Sequence, residues 1–340
     1  MSAQTASPAP GRTLDRRLAA VAAGRYTPDD FMIADAKDAD MAFGLAAAGP
    51  LPGIAEPAEG PDRYRTRADY LHAMRAVAAT GDVDVLLTSA SNGERLAREG
   101  DLDERITLAV RGNDSTDMWL QRGGSYPGRP SRPFRSVDLA EIRDFCDLVL
   151  YSVTFTNDAD HDLETVQAYA TFRREAAAVG MRHFLEVFNP NVPARLSSHE
   201  VGSFVNDCIV RTLAGVTAAR RPLFLKVAYN GSGALAELVQ HDPSLVVGVL
   251  GGSAGTTRDT FELLRRAEVS GARIALFGRK IQRAESQPAL VRLMRPVLRG
   301  ELSPPDAVRA YHDALAVAGL TPLRDLTADL AVTDPALLVE

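Results

Sequence analysis

Lysine is nearly missing from this 340-residue chain: of 38 basic residues only Lys37, Lys226 and Lys280 are lysine, which leaves 35 arginines. Cysteine is scarce too. Cys146 and Cys208 sit in apolar-periodic segments and read as small buried hydrophobes, not as a disulfide, so neither is given a role. No stretch approaches the ~20 apolar residues of a spanning helix, and Met1 to Gly11 lacks a charged-then-apolar signal pattern. A cytoplasmic protein is therefore expected, without a membrane partner. The net charge of -6 and the lack of any Lys/Arg run argue against nucleic acid or an anionic surface as partner. Six histidines are scattered without an HxH or HExxH pair, so no metal site is expected. No Gly-x-Gly-x-x-Gly follows a strand, so nicotinamide binding is not supported either, and no cofactor is assigned.

What is present is a globular composition, 46% hydrophobic and 24% charged. One barrel of roughly 250 residues with extensions would fit the length, as would two smaller domains. Short apolar, branched runs decide between them. Eight occur: Phe31 to Asp35, Val83 to Thr88, Arg105 to Val110, Asp147 to Val153, Arg182 to Phe188, Pro222 to Ala228, Leu245 to Leu250 and Arg273 to Gly278. Each predicts a buried parallel strand. Helical patterns separate them at Thr66 to Ala79, Asn92 to Glu99, Val137 to Phe145, Asp162 to Val179, Ser198 to Ala218, Ala234 to Gln240, Thr257 to Ser270 and Glu285 to Arg299. Eightfold alternation predicts an α/β fold of the (β/α)8 TIM-barrel type with helical extensions at both ends.

The expected layout is a disordered tail over 1–12, the barrel with an N-terminal helix over 13–300, and a C-terminal helix and tail over 301–340. Leu14, Leu18 and Val21 repeat at helical spacing and are placed to plug the barrel's lower end. Ser303 before Pro304 opens the last helix. Two connections, Phe43 to Arg65 and Gly112 to Ser136, leave strand C-terminal ends, where barrel enzymes build their sites. The second carries Arg122, Arg129, Arg132 and Arg135 and reads either as a solvated insertion or as a lid.

Arginine keeps its proton in proteins, whereas a lysine amine can be made neutral and nucleophilic by its surroundings. Codon bias explains the scarcity of lysine equally well, but not where the three fall. Lys226 lies inside the apolar run Pro222-Leu-Phe-Leu-Lys-Val-Ala, on one face with Phe224 and Ala228. If that face is the interior, desolvation favours the neutral amine that imine formation requires. Glu186 shares a face with Phe184 and Phe188 on the neighbouring strand and is suited to shuttle protons to the lysine, or simply to pair with it. Asp35 closes strand one and is a candidate orienting acid, with Lys37 as a second cation or phosphate contact. Tyr151 on strand four is a candidate acid or a packed aromatic. Gly251, Gly252 and Ser253 after strand seven, with Gly278 and Arg279 after strand eight, form a candidate anion cradle, aided by the helix start at Thr256 or Thr257. Lys280 reads as a snorkelling side chain in preference to a phosphate ligand.

Taken in order, Asp35, Phe-Leu-Glu186, Leu-Lys226, Gly-Gly-Ser253-Ala-Gly and Gly278-Arg279 resemble the class I, Schiff-base aldolases. Within that superfamily the set is most similar to the tagatose-bisphosphate and archaeal-type fructose-bisphosphate aldolase branch, over roughly Phe31 to Arg299. The resemblance implies a carbon–carbon lyase without a metal, Lys226 as imine-forming nucleophile, Glu186 as proton shuttle, Asp35 as orienting acid and the two glycine-containing strand ends as phosphate cradle. Its partner would be a small phosphorylated sugar or related carbonyl compound. The run Asp35-Ala-Lys37-Asp38-Ala-Asp40 departs from the family's pattern and leaves the sugar open. A transaldolase-like enzyme, a phosphosugar isomerase and a non-catalytic sugar-phosphate binder remain as alternatives, and association into a homo-oligomer is also left open.

Overall fold

Apolar strands with no polar face have to be covered on both sides, and here they close on themselves. The computed structural model describes residues 11–51, 64–100 and 102–338; the start of the expected tail, residues 1–10, and part of the connection after strand one, 52–63, lie outside them. Eight parallel strands form one closed sheet: β1 (Met32–Lys37), β2 (Val85–Thr88), β3 (Thr107–Arg111), β4 (Leu148–Thr154), β5 (Arg182–Phe188), β6 (Leu225–Val227), β7 (Val247–Leu250) and β8 (Ile274–Phe277). Closure is made by β8 pairing with β1, Met32 opposite Ile274. The chain is thus a (β/α)8 barrel, as the alternation predicts.

Around the sheet lie α1 (Thr13–Ala22), α2 (Arg67–Ala78), α3 (Ala90–Glu99), α4 (Ala159–Ala178), α5 (Ser198–Ala214), α6 (Ser232–His241), α7 (Thr257–Val269), α8 (Gln287–Leu298) and α9 (Pro304–Val317). Several start where the side chains dictate. Thr66 with Asp69, Ser197 with Glu200 and Thr256 with Asp259 form reciprocal capping boxes, and Ser303 caps α9 ahead of its proline. Several boundaries differ from expectation: α5 ends at Ala214 instead of Ala218, and β6 begins at Leu225 instead of Pro222. Between β3 and β4 only Leu139–Ile142 is α-helical, after 3-10 turns at Thr116–Met118 and Tyr126–Gly128, and after β8 a short turn, Arg279–Gln282, precedes α8, which starts at Gln287 behind a Ser286 cap.

Strand alternation sorts the apolar residues into two layers. Met32, Ala34, Val85, Leu87, Ala109, Leu148, Leu150, Phe184, Phe224, Ile274 and Leu276 fill the interior, where Phe184 and Phe224 stack with centroids 4.5 Å apart. Leu14 of α1 enters the same cluster from below and Leu18 packs against it, so two of the three plugging residues reach the interior cluster, while Val21 stays outside it. Residues of the opposite parity, such as Ile33, Leu86, Val149, Val187 and Phe277, face the helices.

Beneath the barrel, Asp84 holds three groups at once: the Ile33 amide at 2.8 Å, Arg295 at 3.1 Å and Arg17. Asp84→Ala would leave two largely buried guanidiniums facing each other. A loss of about 3 kcal/mol or more is expected, read as a lowered urea midpoint at unchanged slope; a change within about 0.5 kcal/mol would show that the cluster contributes nothing.

The arginine-containing connection after β3 is folded. Asp114–Ser115 pairs antiparallel with Pro133–Phe134, and Trp119 packs edge-on against Tyr126 and Phe134. Asp117 accepts from Ser131 and from Thr154 at the end of β4, and Asn191 donates to the carbonyls of Pro127 and Arg129. These bonds tie the connection to the C-terminal rim.

Candidate active site

Three strands carry charged side chains inward at the C-terminal mouth. On β6, alternation from Phe224 turns Lys226 into the interior; on β5, alternation from Phe184 does the same for Glu186, and the two residues are register partners. Lys226 Nζ lies 2.6 Å from Glu186 Oε1. Both side chains are almost fully buried. The second oxygen, Oε2, accepts from Ser152 Oγ at 2.8 Å and from Arg111 Nη2 at 3.1 Å. Arg111, inward on β3, also donates through Nη1 to Ser152 Oγ at 2.7 Å and through Nε to Asp38 Oδ2 at 2.6 Å. Burial opposes the charge on Arg111, but Asp38, Glu186 and Asp114 around it hold the guanidinium ionised more firmly than usual. Burial likewise opposes ionisation of Asp38, yet Arg111 and Lys226 keep its carboxyl below the ordinary range. Asp114, just beyond β3, is pushed up to about 6 by burial, with Arg111 working in the other direction.

The structure brings together Lys226 and Glu186 and moves three other candidates elsewhere. Asp35 does not close β1: the strand runs on to Lys37, because Ala36 and Lys37 pair with Leu87 and Thr88 of β2. Met32, Ala34 and Ala36 face inward, which places Asp38 at the mouth and turns Asp35 and Lys37 outward. There Lys37 Nζ lies 3.1 Å from Asp35 and 2.9 Å from Gln287 of α8, wholly buried between strand and helices. Burial pushes Asp35 up and Lys37 down, each opposed by the other's charge. Neither reaches the barrel interior. Tyr151 also faces outward, between Leu150 and Ser152, and packs on Phe172 and Tyr169 with centroids 4.3 and 5.3 Å away. Its aromatic reading holds, and as an acid at the mouth it is corrected.

The cradle residues do lie together, since β7 and β8 are neighbours, but part of the expected anion site is filled. At the α7 N-terminus the Thr257 amide donates to Asp329 Oδ1 at 2.8 Å and the Thr256 amide to Asp259 at 2.9 Å. Asp259 in turn accepts from the Thr333 and Asp334 amides. The C-terminal segment therefore occupies this helix start. Gly251 answers a packing need, as a Cβ there would stand 3.1 Å from the Phe277 ring; at Gly278 it would stand 3.0 Å from the Ala36 carbonyl. Gly252 adopts φ +65, and Ser253 and Arg279 are exposed. Lys280 does not snorkel: it is buried, donates to the Ala254 carbonyl at 3.3 Å, and is lowered to about 8 chiefly by burial, against the pull of Asp259 and Asp334.

Arg111, Asp38 and Ser152 were missed by reading the sequence. Arg111 did carry a signal, being a charge at the end of an apolar run, the same feature that singles out Lys226, whereas Asp38 and Ser152 are placed only once the inward face of each strand is known.

No protein-family model matches the chain, and no curated protein matches its sequence. Solved structures do match. A fructose-bisphosphate aldolase from Slackia heliotrinireducens superposes with a TM-score of 0.61 at 14% identity, over 92% of this chain and 96% of that one. An archaeal fructose-1,6-bisphosphate aldolase, whose catalytic lysine is bound to a carbinolamine intermediate, gives 0.59 at 15% identity over 84% of this chain and 100% of that one. A Corynebacterium glutamicum protein gives 0.59 at 19% identity, over 85% and 94%. The barrels this chain is similar to thus include class I, Schiff-base fructose-bisphosphate aldolases, and at such identities what is shared is the fold.

Proposed function

We propose that the protein is a class I aldolase-type carbon–carbon lyase that forms a Schiff base between Lys226 and a ketose phosphate or related carbonyl compound. The observation that carries this reading is the Lys226 amine held inside the barrel mouth, 2.6 Å from a carboxylate whose other oxygen is fixed by Ser152 and Arg111. Such a pair can do what imine chemistry asks. Lys226 passes a proton to Glu186 and adds to the carbonyl carbon; Glu186 returns the proton to the carbinolamine hydroxyl, which leaves as water. The resulting iminium draws in the electron pair of the carbon–carbon bond as Glu186 removes the proton of the hydroxyl on the departing carbon. An aldehyde leaves, the enamine is protonated, and water releases the ketone and regenerates the amine. The iminium supplies the electron sink, the role a metal has in other aldolases.

Within this reading Asp38 takes the orienting part first given to Asp35, because it is the acid that stands at the mouth just past the end of β1. Arg111 holds Asp38 and Glu186 in position. The strand-eight end, Gly278 and Arg279, is the phosphate-binding place. Arg279→Ala should weaken binding of phosphorylated ligands about tenfold or more while sparing their dephosphorylated analogues; equal loss for both would remove the phosphate role.

The test of the reading itself is borohydride reduction in the presence of candidate ketones, followed by intact-mass measurement. A stable adduct mapped to Lys226 supports imine chemistry. Binding without an adduct would favour a phosphosugar isomerase or a non-catalytic binder on the same barrel.

A further inference from the structure

Charge at the mouth is unevenly divided. Among the described residues, the β1, β3 and β5 side carries three buried carboxylates, Asp38, Asp114 and Glu186, against the two cations Arg111 and Lys226. Both cations are already engaged. Arg111 spends Nε on Asp38, Nη1 on Ser152 and Nη2 on Glu186, and Lys226 faces Glu186. Asp117, also buried, adds a fourth carboxylate at the rim of β4, where it accepts from Thr154 and Ser131. Three of the four arginines of the nearby connection are engaged elsewhere, Arg122 over the Tyr64 ring, Arg132 with Glu164 and Arg135 with Glu175, while Arg129 is exposed.

On the β7 side the start of α7 is already taken. Asp329 sits on the Thr257 amide, and Asp334 Oδ2 is 4.0 Å from where a Cβ on Gly252 would stand. Among the described residues, the β8 end, with Gly278 and an exposed Arg279, is left open to a phosphate.

We propose, resting on the aldolase reading, that the substrate carries a single phosphate, bound at the β8 end, and that its unphosphorylated hydroxyl-bearing end lies along Asp38, Asp114 and Glu186. Carboxylates accept readily from sugar hydroxyls, whereas a second phosphate dianion would be set against like charges in a site with little water to screen them. Asp114, with its carboxyl pushed up to about 6, is ionised at neutral pH and adds to that repulsion.

The test uses matched pairs that differ only in the distal phosphate: fructose 1-phosphate against fructose 1,6-bisphosphate, and tagatose 1-phosphate against tagatose 1,6-bisphosphate. Binding to the full chain is measured by calorimetry, and adduct formation by borohydride trapping. In at least one pair the monophosphate should bind about tenfold tighter than the bisphosphate, and Asp114→Asn should narrow the gap about threefold or more. Asp114→Ser serves the same purpose if the first variant fails to fold. Bisphosphates that bind as tightly as their monophosphates in both pairs, or no binding in either pair, overturn the single-phosphate proposal. Preferential monophosphate binding without any adduct leaves it standing and sinks the imine reading instead; adducts formed equally by both members do the opposite.

Discussion

Lys226→Arg is expected to fold, to keep its ligand affinity within a few-fold and to lose all borohydride trapping. Arginine preserves the positive charge beside Glu186, so the buried carboxylate keeps a partner and the network to Ser152 and Arg111 keeps its reason to form. What arginine cannot do is release its proton to become a nucleophile, because the guanidinium stays charged across the accessible pH range. Turnover should fall by at least about a thousandfold, as for loss of other covalent nucleophiles. Intact mass after reduction reads the first effect and steady-state assay the second. Undiminished trapping in this variant would remove Lys226 from the chemistry.

Glu186→Gln is expected to have the next largest consequence. The amide keeps the shape of the carboxyl and an oxygen for Ser152 and Arg111, but it cannot accept or return a proton 2.6 Å from the amine. A loss of about 10²–10⁴ in single-turnover rate is expected, the usual range for one general acid–base group. Trapping should become slow yet end at the same adduct mass, which separates a proton-transfer defect from loss of the nucleophile. Stability should drop as well, by about 2–4 kcal/mol, since two buried cations lose the carboxylate between them. A rate within a few-fold of the parent would mean that Glu186 only pairs with the lysine.

These two residues were legible because each is a charge inside a run so apolar that folding alone gives it no reason to be there. The same rule applied to Leu108-Ala-Val-Arg111 would have found the third member of the network. Asp35 misled for a local reason: strand one was ended at an acid, whereas ladder pairing to Leu87 and Thr88 carries the strand two residues further. One strand extension thus exchanges Asp35 for Asp38 at the mouth. Tyr151 shows the limit of period-two patterns, since Leu150, Tyr151 and Ser152 carry no mark of which parity faces inward until neighbouring strands and α4 are in place.

By itself the sequence determined the number, order and type of the barrel strands, and hence the barrel, because runs apolar on both faces have few ways to be covered. It also determined that Lys226 and Glu186 sit on adjacent strands. Only the tertiary structure decided which face of each strand is the interior, and that the α7 start is taken by Asp329, 72 residues away. The reason is physical: alternation separates two faces without naming them, and contacts between distant segments arise only when the sheet closes and the C-terminal chain folds back over its rim.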